Sequence, residues 1–235
     1  MHLTLDFNKS LSQSSWDASR RPREDSIEII YAEDRKANVA SFNWRPGERA
    51  NNGFRVELCD ATLPPKNKNI YYSYSLFVPQ DFNIQHDGFV VISQWHTPGS
   101  GQKPPLALRL RHTGRLDVTL NHLDTGADFS SNGSKQIMLT QIHDFKKGVW
   151  NDFEYLVRWS SDETSALQMK INGKIIAQYS GPTNYADQTT APYFKYGIYP
   201  PIDNDVELNM LSGPYTMTVE PDRDFITAKG FDPDL

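Results

Sequence analysis

The chain has 235 residues, 38% of them hydrophobic and 23% charged, with a formal net charge of −5. That length suits one large all-β domain or two small ones, and it buries a core without staples. No apolar run approaches a membrane span, the single cysteine, Cys59, excludes an intrachain disulfide and a cysteine-based zinc site, and no dense basic stripe interleaved with stacking aromatics speaks for nucleic acid.

The first residues, Met1-His2-Leu3-Thr4-Leu5-Asp6, lack the basic-then-apolar layout of a signal peptide. This leaves an intracellular protein or one whose signal has been removed. A short helix is expected near 12–20. Strand-like runs then follow at 26–31, 38–42, 54–58, 71–78, 89–95, 106–111, 116–120, 136–140, 151–159, 166–171 and 174–179. A second short helix is expected at 185–189, and three more strands at 193–199, 208–211 and 215–219. Arg-Pro-Gly at 45–47, Thr-Pro-Gly-Ser-Gly at 97–101 and His-Thr-Gly at 112–114 separate the runs as turns. Asn172-Gly173 between two alternating runs is the strongest hairpin signal. There is no internal repeat or low-complexity linker. Many short strands at this spacing predict one all-β domain over 1–235, a sandwich or jelly roll of two curved antiparallel sheets.

Charge is uneven along the chain. Residues 37–121 carry nine basic and six acidic side chains, whereas 200–235 carry eight acidic and two basic. A polyanion can bind the central region, because the local field counts for more than the total.

Three strand segments each put reactive side chains on one face. Arg55 and Glu57 alternate in Phe54–Leu58, Gln94 and His96 in Ser93-Gln94-Trp95-His96, and Tyr193, Lys195, Gly197 and Tyr199 in the run 193–199. In the last run a phenol and an ammonium stand beside bare glycine backbone, which reads as an open floor for an anionic ligand. Set side by side, the segments suit β-elimination from a uronic acid polymer. An arginine and an amide neutralise the carboxylate, a base takes the C5 proton, and an acid returns one to the leaving O4. Histidine and tyrosine can serve as base and acid, nearby cations such as Arg55 and Lys195 favour a phenolate, and no metal is required.

The order Arg-x-Glu-Leu, Gln-x-His, Tyr-Phe-Lys-x-Gly-x-Tyr resembles the β-jelly-roll polysaccharide lyases, a group that includes alginate lyases, glucuronan lyases and heparin lyase I. Arg55-Val56-Glu57-Leu58, Gln94-Trp95-His96 and the run from Tyr193 to Tyr199 carry the three motifs. The stretch Tyr72–Phe82, the run 148–159 and Ile171-Asn172-Gly173-Lys174 fit the same pattern, so the likeness covers roughly 38–199. The resemblance implies a concave groove and an endo-acting lyase that yields 4,5-unsaturated products. It implies that Arg55 and Gln94 hold the uronate carboxylate, that His96 helps neutralise it or acts as base, and that Tyr199 is the proton donor and also a candidate base. Lys195 would bind substrate. It further implies a secreted or periplasmic monomer with an anionic polysaccharide as its partner. Alginate lyases read Gln-Ile-His or Gln-Val-His and follow the last tyrosine with Asn-Gln. Trp95 and Pro200-Pro201 depart from that, which places glucuronan first and heparin, alginate or ulvan after it.

Plainer readings stand beside these. Arg55 and Glu57 also read as a structural ion pair, with Glu57 structural in either case. Arg109 and Arg111 read equally as subsite cations or as a solvated face, and Tyr193 as a groove wall or a half-buried strand aromatic. Gln141-Ile142-His143 matches the alginate motif literally but falls out of order, and reads as a strand end. Asp203-Asn204-Asp205 and Asp222-Arg223-Asp224 offer oxygen ligands for a structural calcium, or are simply solvated acidic turns. A non-catalytic glycan-binding module on the same sandwich is the rival reading. A sandwich-type glycoside hydrolase ranks below it, because the paired carboxylates on one strand that such enzymes use are missing.

Overall fold

The computed structural model describes residues 1–9, 11, 16–60, 62–85, 87–98, 102–123 and 134–234. Sixteen strands run through them in chain order: β1 (His2–Leu5), β2 (Trp16–Arg20), β3 (Ile27–Ala32), β4 (Ala37–Trp44), β5 (Val56–Asp60), β6 (Asn69–Phe77), β7 (Phe89–His96), β8 (Leu106–Arg111), β9 (Leu116–Leu123), β10 (Ser134–Ile142), β11 (Trp150–Arg158), β12 (Ala166–Ile171), β13 (Lys174–Ser180), β14 (Tyr193–Tyr199), β15 (Leu208–Ser212) and β16 (Tyr215–Val219). A 3-10 turn, Glu24–Ser26, precedes β3, and one α-helix, α1 (Arg223–Ala228), follows β16.

The strands form two antiparallel sheets. One runs β10-β9-β8-β7-β14-β5-β2. The other runs β13-β12-β11-β6-β15-β4-β3, with β16 pairing β6 and β1 beyond it. This is the jelly-roll sandwich expected from the strand spacing. The Asn172-Gly173 hairpin forms between β12 and β13, with φ of 51° and 76° at its two turn residues, as a twisted two-residue turn demands.

Alternation decides which side chains meet between the sheets. Val56, Leu58, Trp95, Phe194, Tyr196 and Ile198 from the seven-stranded sheet join Tyr72, Tyr74, Tyr155 and Tyr215 from the other in one core. Its centre is aromatic: Trp95 lies 4.7 Å from Tyr155 and 4.8 Å from Phe194, between ring centroids. Buried phenols need partners, and Tyr74 hydroxyl meets Ser93 Oγ at 2.7 Å and the Tyr155 hydroxyl at 2.9 Å.

Both expected helices are absent from the described residues. Within 12–20, Trp16–Arg20 is a strand because Trp16 buries its indole against Phe7 and Tyr196 while β2 pairs with β5; residues 12–15 lie outside the described set. At 185–189 the chain turns without a helix. Tyr185 is instead buried, and its hydroxyl donates to the Lys103 carbonyl at 2.9 Å. The helix that does form, α1, follows an N-cap: Asp222 accepts from Phe225 N at 2.7 Å. Its Ile226, with Phe231 just beyond it, packs on Tyr71 of β6 and Leu156 of β11.

Candidate active site

The outer face of the seven-stranded sheet carries the three motifs. Strand β14 lies between β5 and β7, so the segments read separately in sequence are neighbours in space. Its register sets Lys195 opposite Cys59 and Gln94, Gly197 opposite Glu57, Tyr193 opposite His96, and Tyr199 opposite Val91.

Glu57 is the hub. It is 1% exposed, although it faces away from the core. Gln94 Nε2 donates to its Oε1 at 2.6 Å, Arg55 Nη1 donates to its Oε2 at 3.4 Å, and Lys195 Nζ lies 3.9 Å from the same oxygen. Two cations facing one carboxylate leave positive charge for a second, incoming carboxylate. The Arg55 guanidinium also stacks over the Tyr199 ring, 4.0 Å from its centroid.

Gly197 explains how these strands approach. Its φ is +144°, and a Cβ there would stand 2.2 Å from the Val56 carbonyl oxygen and 2.8 Å from Glu57 Cα. Only glycine fits. The open floor expected at this position is therefore closed. Strand β5 presses against the glycine, and the Glu57–Gln94 bond crosses β14 beside it.

His96 has a defined tautomer. Its Nδ1 lies 2.8 Å from the Thr97 carbonyl, which only accepts, so the proton sits on Nδ1 and Nε2 keeps its lone pair. Burial and the neighbouring Lys195 ammonium hold its pKa below the usual histidine value, which keeps the ring neutral. Burial likewise lowers Lys195, with Glu57 opposing. Lys195 is 3% exposed and Gln94 2%, so each presents only an edge to the outer face. Burial pushes the Cys59 thiol up to about 12, which removes it as a nucleophile.

Arg109, Arg111 and Tyr193 lie on the same sheet. Arg109 and Arg111 pair with Val91 and Phe89 across β7–β8. Arg109 Nη1 donates to Thr119 Oγ1 at 2.7 Å, whereas Arg111 is committed to the buried Asp117 at 2.6 Å, a carboxylate it shares with Arg115. Tyr193 faces His96, with ring centroids 5.8 Å apart. Gln141 and Ile142 end the edge strand β10, where Gln141 reaches Asp117 at 3.4 Å. Asp203 accepts from Gly47 N and Asn204 N, and Asp222 caps α1. Among the described residues no group of three metal-ligating side chains is assembled.

Sequence reading missed Arg20. It sits on β2, with Nη1 2.8 Å from Asp17 Oδ2 and its guanidinium 5.9 Å from the Tyr193 ring centroid. Alternation from the inward Trp16 would put Arg20 on the core side; a register shift between Asp17 and Arg20 sets it opposite Glu57 on the outer face, which the sequence does not signal.

A family model described as polysaccharide lyase matches residues 9–218. The chain belongs to the polysaccharide lyase family. A comparison with curated proteins finds no match, so the likeness rests on this family and on structure. Among solved structures, an endo-β-1,4-glucuronan lyase from the fungus Trichoderma reesei aligns with a TM-score of 0.64 at 12% identity, covering 92% of this chain and 94% of that one. The alginate lyase vAL-1 from Chlorella virus aligns at 0.64 and 13%, covering 92% and 98%. The alginate lyase AlgAT5 of polysaccharide lyase family 7 aligns at 0.58 and 15%, covering 94% of each. What this lyase shares with all three is the jelly-roll fold.

Proposed function

We propose that this lyase cleaves a (1→4)-linked uronic acid polymer by β-elimination within the chain, and that glucuronan is its first substrate. The observation that carries the reading is the cluster around Glu57, in which a buried carboxylate orients Arg55, Gln94 and Lys195 on one face beside a neutral histidine. In the proposed reaction Arg55 and the second N–H of Gln94 bind the uronate carboxylate and stabilise the enolate-like state. His96 Nε2 accepts the C5 proton. The C5 electron pair forms the C4=C5 bond, the C4–O4 bond breaks, and Tyr199 protonates O4. His96 suits the base role better than the neutralising one, because a neutral ring with its lone pair at Nε2 has no positive charge to offer a carboxylate. Arg109 and Tyr193 line the path of the polymer; Arg111, held by Asp117, supports it from the side. Glucuronan stands first because Pro200-Pro201 replaces the Asn-Gln of alginate lyases, and a secreted or periplasmic location follows from the same likeness.

The test is incubation with glucuronan, heparin, alginate and ulvan while following the ultraviolet absorbance of the new C4=C5 bond. Absorbance should rise with at least one polymer and fastest with glucuronan. Tyr199→Phe should remove turnover and leave polymer binding largely intact. Folded protein that yields no absorbance with any uronate polymer would end the proposal.

A further inference from the structure

The outer face of β14 carries two tyrosines with a guanidinium over each. Arg55 covers Tyr199, and Arg20 covers Tyr193. The two rings stand six residues apart on one strand, whose register shifts between Tyr196 and Tyr199, so they lie closer than a regular run would place them. Arg55 immediately precedes β5, whereas Arg20 arrives from the edge strand β2, whose Asp17 and Arg20 pair with Cys59 and Glu57. Lys195 lies between them, its Nζ 5.8 Å from the Tyr193 centroid. A polyuronate laid along β14 presents carboxylates at regular intervals. A single arginine reads one of them, and the face holds a second arginine at the other end.

We propose that Arg20 is a substrate-binding residue that takes a second uronate carboxylate beside Tyr193, next to the sugar that Arg55 and Gln94 hold. The inference rests on the uronate lyase reading above. Arg20 is suited to the task in three ways. Its side chain is 18% exposed, so it is held in place yet open on one edge. Asp17 orients it through Nη1 and leaves other N–H groups of the five-donor fork. The aromatic face beneath it favours a planar guanidinium over an ammonium. Asp17 is in turn held by Ser19 N at 2.8 Å, so the orienting carboxylate is itself fixed.

The assignment predicts opposite effects at the two ends of the Arg20–Asp17 pair. Arg20→Gln should raise KM for the polymer roughly tenfold, the loss expected for one charge-assisted contact, and change kcat little. It should also flatten the dependence of KM on ionic strength. Oligouronates too short to span both arginines should show no change in KM. Asp17→Asn should lower KM for the polymer, because it releases the guanidinium for substrate. Arg20→Lys keeps the charge and guards against a variant that simply misfolds; it should fall between wild type and Arg20→Gln. If Arg20 is only half of a structural ion pair, both substitutions move KM in the same direction, or Arg20→Gln acts equally on short and long substrates. Either result overturns the assignment. Failure of the uronate reading itself would show separately, as wild-type protein that cleaves no uronate polymer.

Discussion

Gln94 Nε2 donates to Glu57 Oε1 across 2.6 Å, and the bond joins two strands that are not neighbours, because β14 runs between β5 and β7. Through Glu57, this contact links the Gln94 amide of β7 to Arg55, which immediately precedes β5. Glu57 thus acts through the residues it holds. Glu57→Gln keeps the shape and removes the charge that faces Arg55 and Lys195. The expected loss in kcat/KM is about 100-fold or more, the kinetic equivalent of the roughly 3 kcal/mol lost when one partner of a buried ion pair is removed. Steady-state kinetics with a parallel thermal melt check it; unchanged kcat/KM would take Glu57 out of the site's architecture.

Gly197 makes that crossing feasible. Gly197→Ala places a Cβ 2.2 Å from a backbone oxygen, at a φ that an L residue avoids. Gly114 also has positive φ, +82°, but nothing within 4 Å of its Cβ. Gly114→Ala should therefore cost only the backbone term, about 1 kcal/mol. Gly197→Ala should cost about 3 kcal/mol or more, because the strain adds to the clash. Urea unfolding of both variants measures the difference. Equal losses would mean that β14 and β5 have room to separate.

The lowered pKa of His96 fixes the sign of a pH dependence. As base, His96 must be neutral, and burial beside Lys195 keeps it neutral to below its ordinary value of 6.5. The acid limb of kcat/KM should thus lie below pH 6.5 and disappear from the profile of His96→Gln along with most of the activity. The same shift affects stability. Below pH 6.5 the unfolded chain binds the proton more readily than the folded one, so the contribution is complete above 6.5 and declines as pH falls through the lowered folded value. A limb at or above 6.5 would assign it to another group and leave His96 without the base role.

Much of this architecture was legible because its signals are local. The Asn172-Gly173 turn needs two positive φ values, and the alternation of Tyr193, Lys195 and Tyr199 against Phe194, Tyr196 and Ile198 sorts the two faces of β14. Residues joined only by tertiary contact were hidden. Arg20 reads as part of a polar stretch until the burial of Trp16 shows that it belongs to a strand. Glu57 reads as structural; that it reaches across β14 to Gln94 depends on which strands are neighbours. Gly197 was recognised as bare backbone, but only its approach to Val56 shows that the space is used by the protein.

Trp95 is the departure from the alginate motif that favours another polymer in the sequence, yet it is fully buried. It packs on Tyr155, Phe194 and Tyr72 and faces the core, opposite to Gln94 and His96 on either side of it. Its size matches the aromatic core and gives it no contact with a substrate on the outer face. Trp95→Val recreates the Gln-Val-His of alginate lyases and separates the two roles. Stability should fall by about 3 kcal/mol, as for other large-to-small core changes, while the ratio of kcat/KM between glucuronan and alginate should stay within a few-fold. Chemical denaturation gives the first quantity and the ultraviolet assay on both polymers gives the second. A preference that swings toward alginate at unchanged stability would mean that Trp95 governs the substrate face after all. The predicted result instead assigns polymer choice to groups that touch that face, such as Arg20, Arg109 and Tyr193.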